Sequence, residues 1–421
     1  MPFTTALHLR PPFRADHVGS LLRPSTLYEK RRLYEEGRCS KEELKLAEDE
    51  AIRDVVDLQR KAGIKTITDG ELRRGMFFEG VFEKLEGMQY MPKRHISTFK
   101  PYIPHIAMMY KAGIAEAETI YCNGKIRRTK PFYVDEFKFL RSLVAPEVSL
   151  FASSASYPGM IYRVLQEVKQ IKITMCSPSW FHQRHGSDQT YDLSVYKNDD
   201  EYFNDLGQAY RAEIKELYYL GCRHIQIDDP TFCYFCNDRM IAQMEAAGVN
   251  HEALLNTYIR AINIFTAERP NDLTISVHMC RGNFRGGMHF TEGSYARIAA
   301  KLFRELDVDT FYLEYDTPRA GDFSPLKYLP LDKVVVLGLV TTKSSKLESM
   351  KRLKSRINEA VDVLCHGTPK RSRKVALSQL CISPQCGFAS VWQGNPLTEA
   401  DELKKLILVS ETARQVWDDA C

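Results

Sequence analysis

Eight short apolar, β-branched-rich runs recur along the chain, starting near residues 14, 64, 171, 224, 273, 310, 334 and 375. Nearly every run ends in polar or ligand-type residues. The endings are His17-Val18-Gly19-Ser20, Asp69-Gly70-Glu71, Ser177-Pro178-Ser179-Trp180, Asp228-Asp229-Pro230, His278-Met279-Cys280, Glu314-Tyr315-Asp316, Thr341-Thr342-Lys343 and Gln385-Cys386-Gly387. Helical stretches lie between most of them. The clearest, 40–62, opens with a Ser40/Glu43 capping box and is closed by Gly63. Eight alternating β and α units predict an α/β fold, a (β/α)8 TIM barrel. An open doubly wound sheet is the alternative, but it would spread the eight polar ends apart, whereas a barrel gathers them at one mouth. The rhythm breaks at 77–148, after the second strand. This Tyr/Phe/Pro-rich stretch is expected to be an insertion or lid, with a hairpin turn at Asn123-Gly124 and a helix near 135–144. The whole chain, 1–421, reads as one catalytic domain.

Charge excludes several classes. With 58 basic and 54 acidic residues the net charge is only +4, which argues against nucleic-acid or anionic-membrane partners. No run reaches the roughly 18 apolar residues of a membrane span. Residues 1–12 carry no apolar signal core. Arg10, with no acidic residue before Asp16, is the one transit-like trait against a plain disordered start. Eleven scattered cysteines without a signal read as reduced thiols of a cytosolic protein. Cys233 and Cys236 form a C-x-x-C without a second pair and are expected to be buried or free thiols. His182 and His185 read as a surface-loop pair, and the basic run 370–374 as a solvated loop.

Two of the cysteines have a stronger use. His278 and Cys280 are two residues apart at a strand end, so their side chains share a face. Glu314 and Cys386 end two further strands that a barrel brings to the same side. Imidazole, two thiolates and a carboxylate suit Zn2+, and give it a net charge of −1, a centre better matched to a substrate thiolate than to ionising water. The structural alternative is two buried thiols and a hydrogen-bonded core histidine.

V-H-M-C-R-G-N-F at 277–284, I-Q-I-D-D-P at 225–230, T-D-G-E at 68–71, H-V-G-S at 17–20 and S-P-Q-C-G at 383–387 together resemble the cobalamin-independent methionine synthase family. The resemblance is to its C-terminal catalytic barrel, in a compact single-barrel branch, and spans about 14–417. It implies Zn2+ on His278, Cys280, Glu314 and Cys386. It implies that Val18, Gly19 and Ser20 receive the carboxylate of homocysteine, and that Glu71 and Asp228 bind its ammonium group as the catalytic pair. The reaction implied is thiolate attack on the methyl group of a reduced folate, giving methionine, with a general acid to protonate the leaving nitrogen. Two features depart from the family pattern. The stretch 338–345, G-L-V-T-T-K-S-S, lacks the histidine expected as that acid, leaving Lys343, Thr341, water or a different donor. S-P-S-W-F-H at 177–182 replaces the family's W-S-F, with Trp180 as a candidate stacking platform. Arg73 and Arg74 are candidates for a polyglutamate tail, or else a solvated helix end. The alternatives are a thiol–epoxide enzyme resembling 2-hydroxypropyl-coenzyme M lyase, and a non-catalytic zinc-binding barrel.

Overall fold

The computed structural model describes residues 10–144 and 167–420. Residues 1–9, the last four residues of the expected 77–148 insertion, and Cys421 therefore lie outside the described part. Helix Lys41–Lys61 starts where its sequence predicts. Ser40 Oγ accepts from Glu43 N, and Glu43 Oε2 accepts from Ser40 N. Such a cap is worth about 1 kcal/mol.

The insertion contains an antiparallel pair, β1 (Leu85–His95) and β2 (Glu116–Arg128), joined through helix Pro104–Lys111. The expected turn at Asn123-Gly124 is not one, because both residues lie inside β2. Gly124 instead meets Gly87 at a bulge, where a Cβ on Gly87 would lie 2.6 Å from the Gly124 carbonyl oxygen. The expected helix is present as Val134–Val144.

Six parallel strands follow in sequential order: β3 (Lys172–Cys176), β4 (His224–Asp228), β5 (Thr274–Met279), β6 (Thr310–Glu314), β7 (Val334–Val340) and β8 (Leu380–Pro384). Two extended segments complete the barrel. Ala15 bridges Ile382 of β8, and Ile67 bridges Ile171 beside β3, both in parallel sense. Side chains join these two staves. Asp16 accepts from Thr66 Oγ1, and Thr68 Oγ1 donates to the Gly19 carbonyl. Inside the barrel, fully buried Lys172 pairs with Asp16 at 3.0 Å and lies over the Tyr312 ring. That ion pair fixes the first stave, which has only one bridge to a neighbouring strand.

The last strand begins later than expected. Ser372 Oγ accepts from Val375 N and starts a helix, Arg373–Ser378, so the β-branched start of the predicted 375–382 strand is helical. Arg371 in the same basic run is buried on Gln379 and on the carbonyls of Leu329 and Pro369, and is not part of a solvated loop. Among the described residues, no helix is long and apolar enough to cross a membrane.

Candidate metal centre and substrate pocket

The β4–β5 register places Asp228 beside His278, and the β6–β7 register places Glu314 beside Gly338. His278 is the penultimate residue of β5, Cys280 follows the strand, Glu314 ends β6 and Cys386 lies two residues beyond β8. One ligand atom from each of these four residues falls within 4.8 Å of all the others. His278 Nε2 is 3.4 Å from Cys386 Sγ, and the two sulfurs are 3.5 Å apart. That is far beyond a disulfide bond, and it matches the edge of about 3.5 Å between ligands of a tetrahedral zinc site.

The cluster already prefers positive charge. The Cys386 thiol is held well below its usual range by the bond from Cys280 and by His278, despite burial. Burial pushes His278 down, but Cys386 outweighs it and raises the imidazole to about 9. A divalent cation would take the place of these protons. The donor set and its spacing thus fit Zn2+.

Supporting groups orient the ligands. Glu314 Oε1 accepts from Arg281 N at 2.7 Å and Oε2 from Arg319 Nη2 at 2.6 Å. Asn283 Nδ2 donates to the Gly387 carbonyl and to Ser390 Oγ, tying the Cys280 loop to the Cys386 loop.

The expected amino-acid subsite lies in the same cavity, of about 760 Å3, which Val18, Ser20, Glu71 and Asp228 line together with His278, Cys280 and Cys386. Gly19 has φ +144°, and a Cβ there would come within 2.6 Å of Thr174 Cγ2, so the turn requires glycine. A Cβ at Gly387 would collide with Ser20 Oγ. Glu71 sits at φ +59°, an uncommon conformation for a side-chain-bearing residue. Its Oε1 accepts from Thr174 Oγ1, while Asp228 Oδ1 accepts from Gln226 Nε2. Burial, then repulsion from Glu71, raises Asp228 to about 7. Two buried carboxylates that oppose each other's ionisation form a natural seat for an ammonium group.

The rest of the cavity lining is largely aromatic and comes from the barrel mouth and the insertion together. Trp180 is buried between Phe78 and His105, with ring centroids 5.5 Å from each and interplanar angles of 25° and 16°. His105 belongs to the helix of the insertion, and Tyr90, Met108 and Thr119 extend the same wall. In the sequence, Trp180 as a candidate stacking platform and the aromatic bias of the insertion both pointed to this surface.

Other candidates are engaged elsewhere. His182 is buried against Tyr258 and Asp199, and His185 against Thr119 and the Thr98 carbonyl, so neither is a surface residue and neither lines the cavity. Lys343 Nζ donates to the Gly282 carbonyl, and neither Lys343 nor Thr341 lines the cavity. Arg73 pairs with Glu48 and Asp49. Arg74 is buried on the Thr174 carbonyl, over the Tyr133 ring and 3.7 Å from Glu71, and is no solvated helix end. Cys233 and Cys236 are buried free thiols, as expected.

A family model described as cobalamin-independent synthase, catalytic domain, matches residues 186–403. Uncharacterized protein YxjH of Bacillus subtilis is 35% identical over 96% of this chain and 95% of its own. Methionine synthase of Saccharolobus solfataricus is 24% identical over 88% of this chain and 86% of its own. A Listeria monocytogenes protein, solved as a candidate vitamin-B12 independent methionine synthase, superposes with TM-score 0.68 and 29% identity, covering 97% of this chain and 99% of that one.

Proposed function

The chain belongs to the cobalamin-independent methionine synthase catalytic-domain family, and from that premise we propose that it is a zinc-dependent S-methyltransferase that converts homocysteine to methionine. One observation carries this reading: His278, Cys280 and Cys386, whose donor atoms gather with that of Glu314 within 4.8 Å, line the same cavity as the Glu71–Asp228 pair.

Zn2+ on these four residues would supply a cation that stabilises the thiolate form of an incoming thiol at neutral pH. The protein's own groups do the rest. Glu71 and Asp228 bind the ammonium group of homocysteine, and the Val18–Ser20 turn receives its carboxylate. Those contacts orient the amino acid so that its sulfur reaches the metal centre, converting a bimolecular encounter into a positioned one. Trp180 and the insertion close the opposite side, excluding water from the nucleophile and forming the chamber where a donor lies. In this reading 77–148 serves as the lid. A reduced folate is the donor that the family relation brings.

Purified protein is expected to hold one zinc per chain by elemental analysis, to lose it in Cys386→Ala, and to methylate homocysteine. Zinc-free protein, or Cys386→Ala with full metal content, contradicts the proposal.

A further inference from the structure

The rest of the cavity must accept the methyl donor, and its chemistry is specific. We infer that the donor is a methyl onium cation, a sulfonium or quaternary ammonium compound, held by the aromatic rings and carboxylates that line the cavity where the insertion meets the barrel mouth. This rests on the thiol methylation proposed above and replaces only the folate.

The lining is aromatic and acidic. Phe78 and His105 flank the Trp180 ring, Phe77 meets it edge-on at 4.9 Å, and Phe290 faces His105 at 6.1 Å. Faces of electron-rich rings attract onium groups, which carry no donor hydrogen and are weakly hydrated. Glu79, Glu83 and Glu118 also line the cavity, with one oxygen each accepting from Gly75 N, Gly80 N and Tyr90 Oη and the other left for a cation. Glu79 is buried enough that its carboxyl is raised, and a neighbouring cation would restore its charge.

The same lining is poorly suited to an anionic donor. Among the described residues that line the cavity, Arg184 is the one lysine or arginine, and it is packed over the Phe99 and Phe181 rings. Arg73, Arg74 and Lys343, which would otherwise be nearest to hand, are held by the partners described above. A polyglutamate tail would meet carboxylates.

Proton supply is compatible with the same reading, although Asp228 and Glu79, whose carboxyls burial raises, also line the cavity. A folate nitrogen, or the oxygen of an opened epoxide, has to gain a proton as it leaves. Thr341 and Lys343 are outside the cavity. His105 is inside it, with Nε2 buried and unpartnered, but burial and Arg184 keep its imidazole neutral well below the usual range. An onium donor needs no acid. The homocysteine thiolate forms a sulfur–carbon bond to the methyl group as the methyl–sulfonium or methyl–ammonium bond breaks. The electron pair of that bond stays on the departing atom, which leaves as a neutral thioether or amine. The charges −1 and +1 cancel and no proton moves.

The test uses the zinc-loaded full chain with homocysteine and five donors: S-methylmethionine, trimethylsulfonium, glycine betaine, and 5-methyltetrahydrofolate as mono- and triglutamate. Methionine is read by mass spectrometry. The inference expects an onium to outrun both folates. A folate that outruns every onium, or an absence of methionine from any onium, overturns it. Binding of tetramethylammonium, which needs no thiol, is read separately by calorimetry. It is expected to weaken about tenfold in Phe78→Leu and Glu79→Gln, and unchanged or undetectable binding overturns the inference. Binding of the thiol at the metal is judged apart from both, by the visible spectrum of cobalt-substituted protein on adding homocysteine. A folate-active enzyme whose spectrum responds retains that function and loses only the onium donor.

Discussion

Arg319 Nη2 donates to Oε2 of Glu314 across 2.6 Å, with both side chains almost entirely buried. Burial alone would push the Glu314 carboxyl up, but Arg319 leads the groups that bring it below its usual value and keep it ionised. Arg319 thus holds the one hard donor of the cluster in the ionised form that a metal would need. Arg319→Met, which keeps the bulk and removes the charge, is expected to weaken zinc binding about tenfold in chelator competition. Arg319→Lys should recover part of the loss. Unchanged affinity in Arg319→Met would show that Glu314 needs no such support.

The Glu71–Asp228 pair should distinguish substrates by their amino group. Asp228→Asn and Glu71→Gln each remove a charge-assisted contact worth about 1.5–3 kcal/mol, so KM for homocysteine should rise by roughly tenfold or more. Zinc content should not change. Methylation of 3-mercaptopropionate, which has the thiol and a carboxylate without the ammonium, should be nearly insensitive to either substitution. Equal losses for both thiols would place the pair in a structural role.

A Cβ added at Gly387 would collide with Ser20 Oγ, so the Ser20 turn packs directly on the glycine. Gly387→Ala forces the Ser20 turn and the Cys386 loop apart. It is expected to destabilise the fold by about 1–3 kcal/mol, the usual range for overpacking, and to raise KM for homocysteine. Thermal melts that match the unmodified protein would contradict the geometry.

Glu402, fully buried in helix Glu399–Val416, accepts from Leu22 N through Oε1 and has no partner on Oε2 among the described residues. Burial pushes its carboxyl up to about 8, against roughly 4.3 in an unfolded chain. Between those values the folded protein binds the extra proton, so this group makes stability fall as pH rises. Glu402→Gln removes the titration. Its melting temperature should gain on that of the unmodified protein from pH 5 to pH 8, whereas a constant difference would show that Glu402 does not titrate in this window.

The barrel and the clustering of His278, Cys280, Glu314 and Cys386 were legible for a common reason. Both depend on local pattern: short β-branched runs with polar ends, and a two-residue spacing at the end of β5. The first two staves show why this succeeds only in part. Residues 14–20 and 64–71 read as strands, yet each makes a single bridge and is held by Asp16, Thr66, Lys172 and Thr68. Asn123-Gly124 misled because the dipeptide favours a turn, while the need at Gly124 is close approach to Gly87 across a bulge. His182 and His185 looked like loop residues because nothing local shows that Tyr258, Asp199 and Thr119 fold over them. The aromatic cluster around Trp180 was only partly legible, for the same reason. Phe78, His105, Trp180 and Phe290 are spread over more than two hundred residues, and only the packing of the insertion against the barrel mouth assembles them.

The central claim is that a substrate thiol reaches the metal held by His278, Cys280, Glu314 and Cys386. X-ray absorption at the zinc edge measures this directly. With two cysteine sulfurs in the resting set, homocysteine should add a third sulfur at about 2.3 Å, with loss of a light-atom scatterer if Glu314 withdraws toward Arg319. A zinc spectrum unchanged by saturating homocysteine would contradict the account.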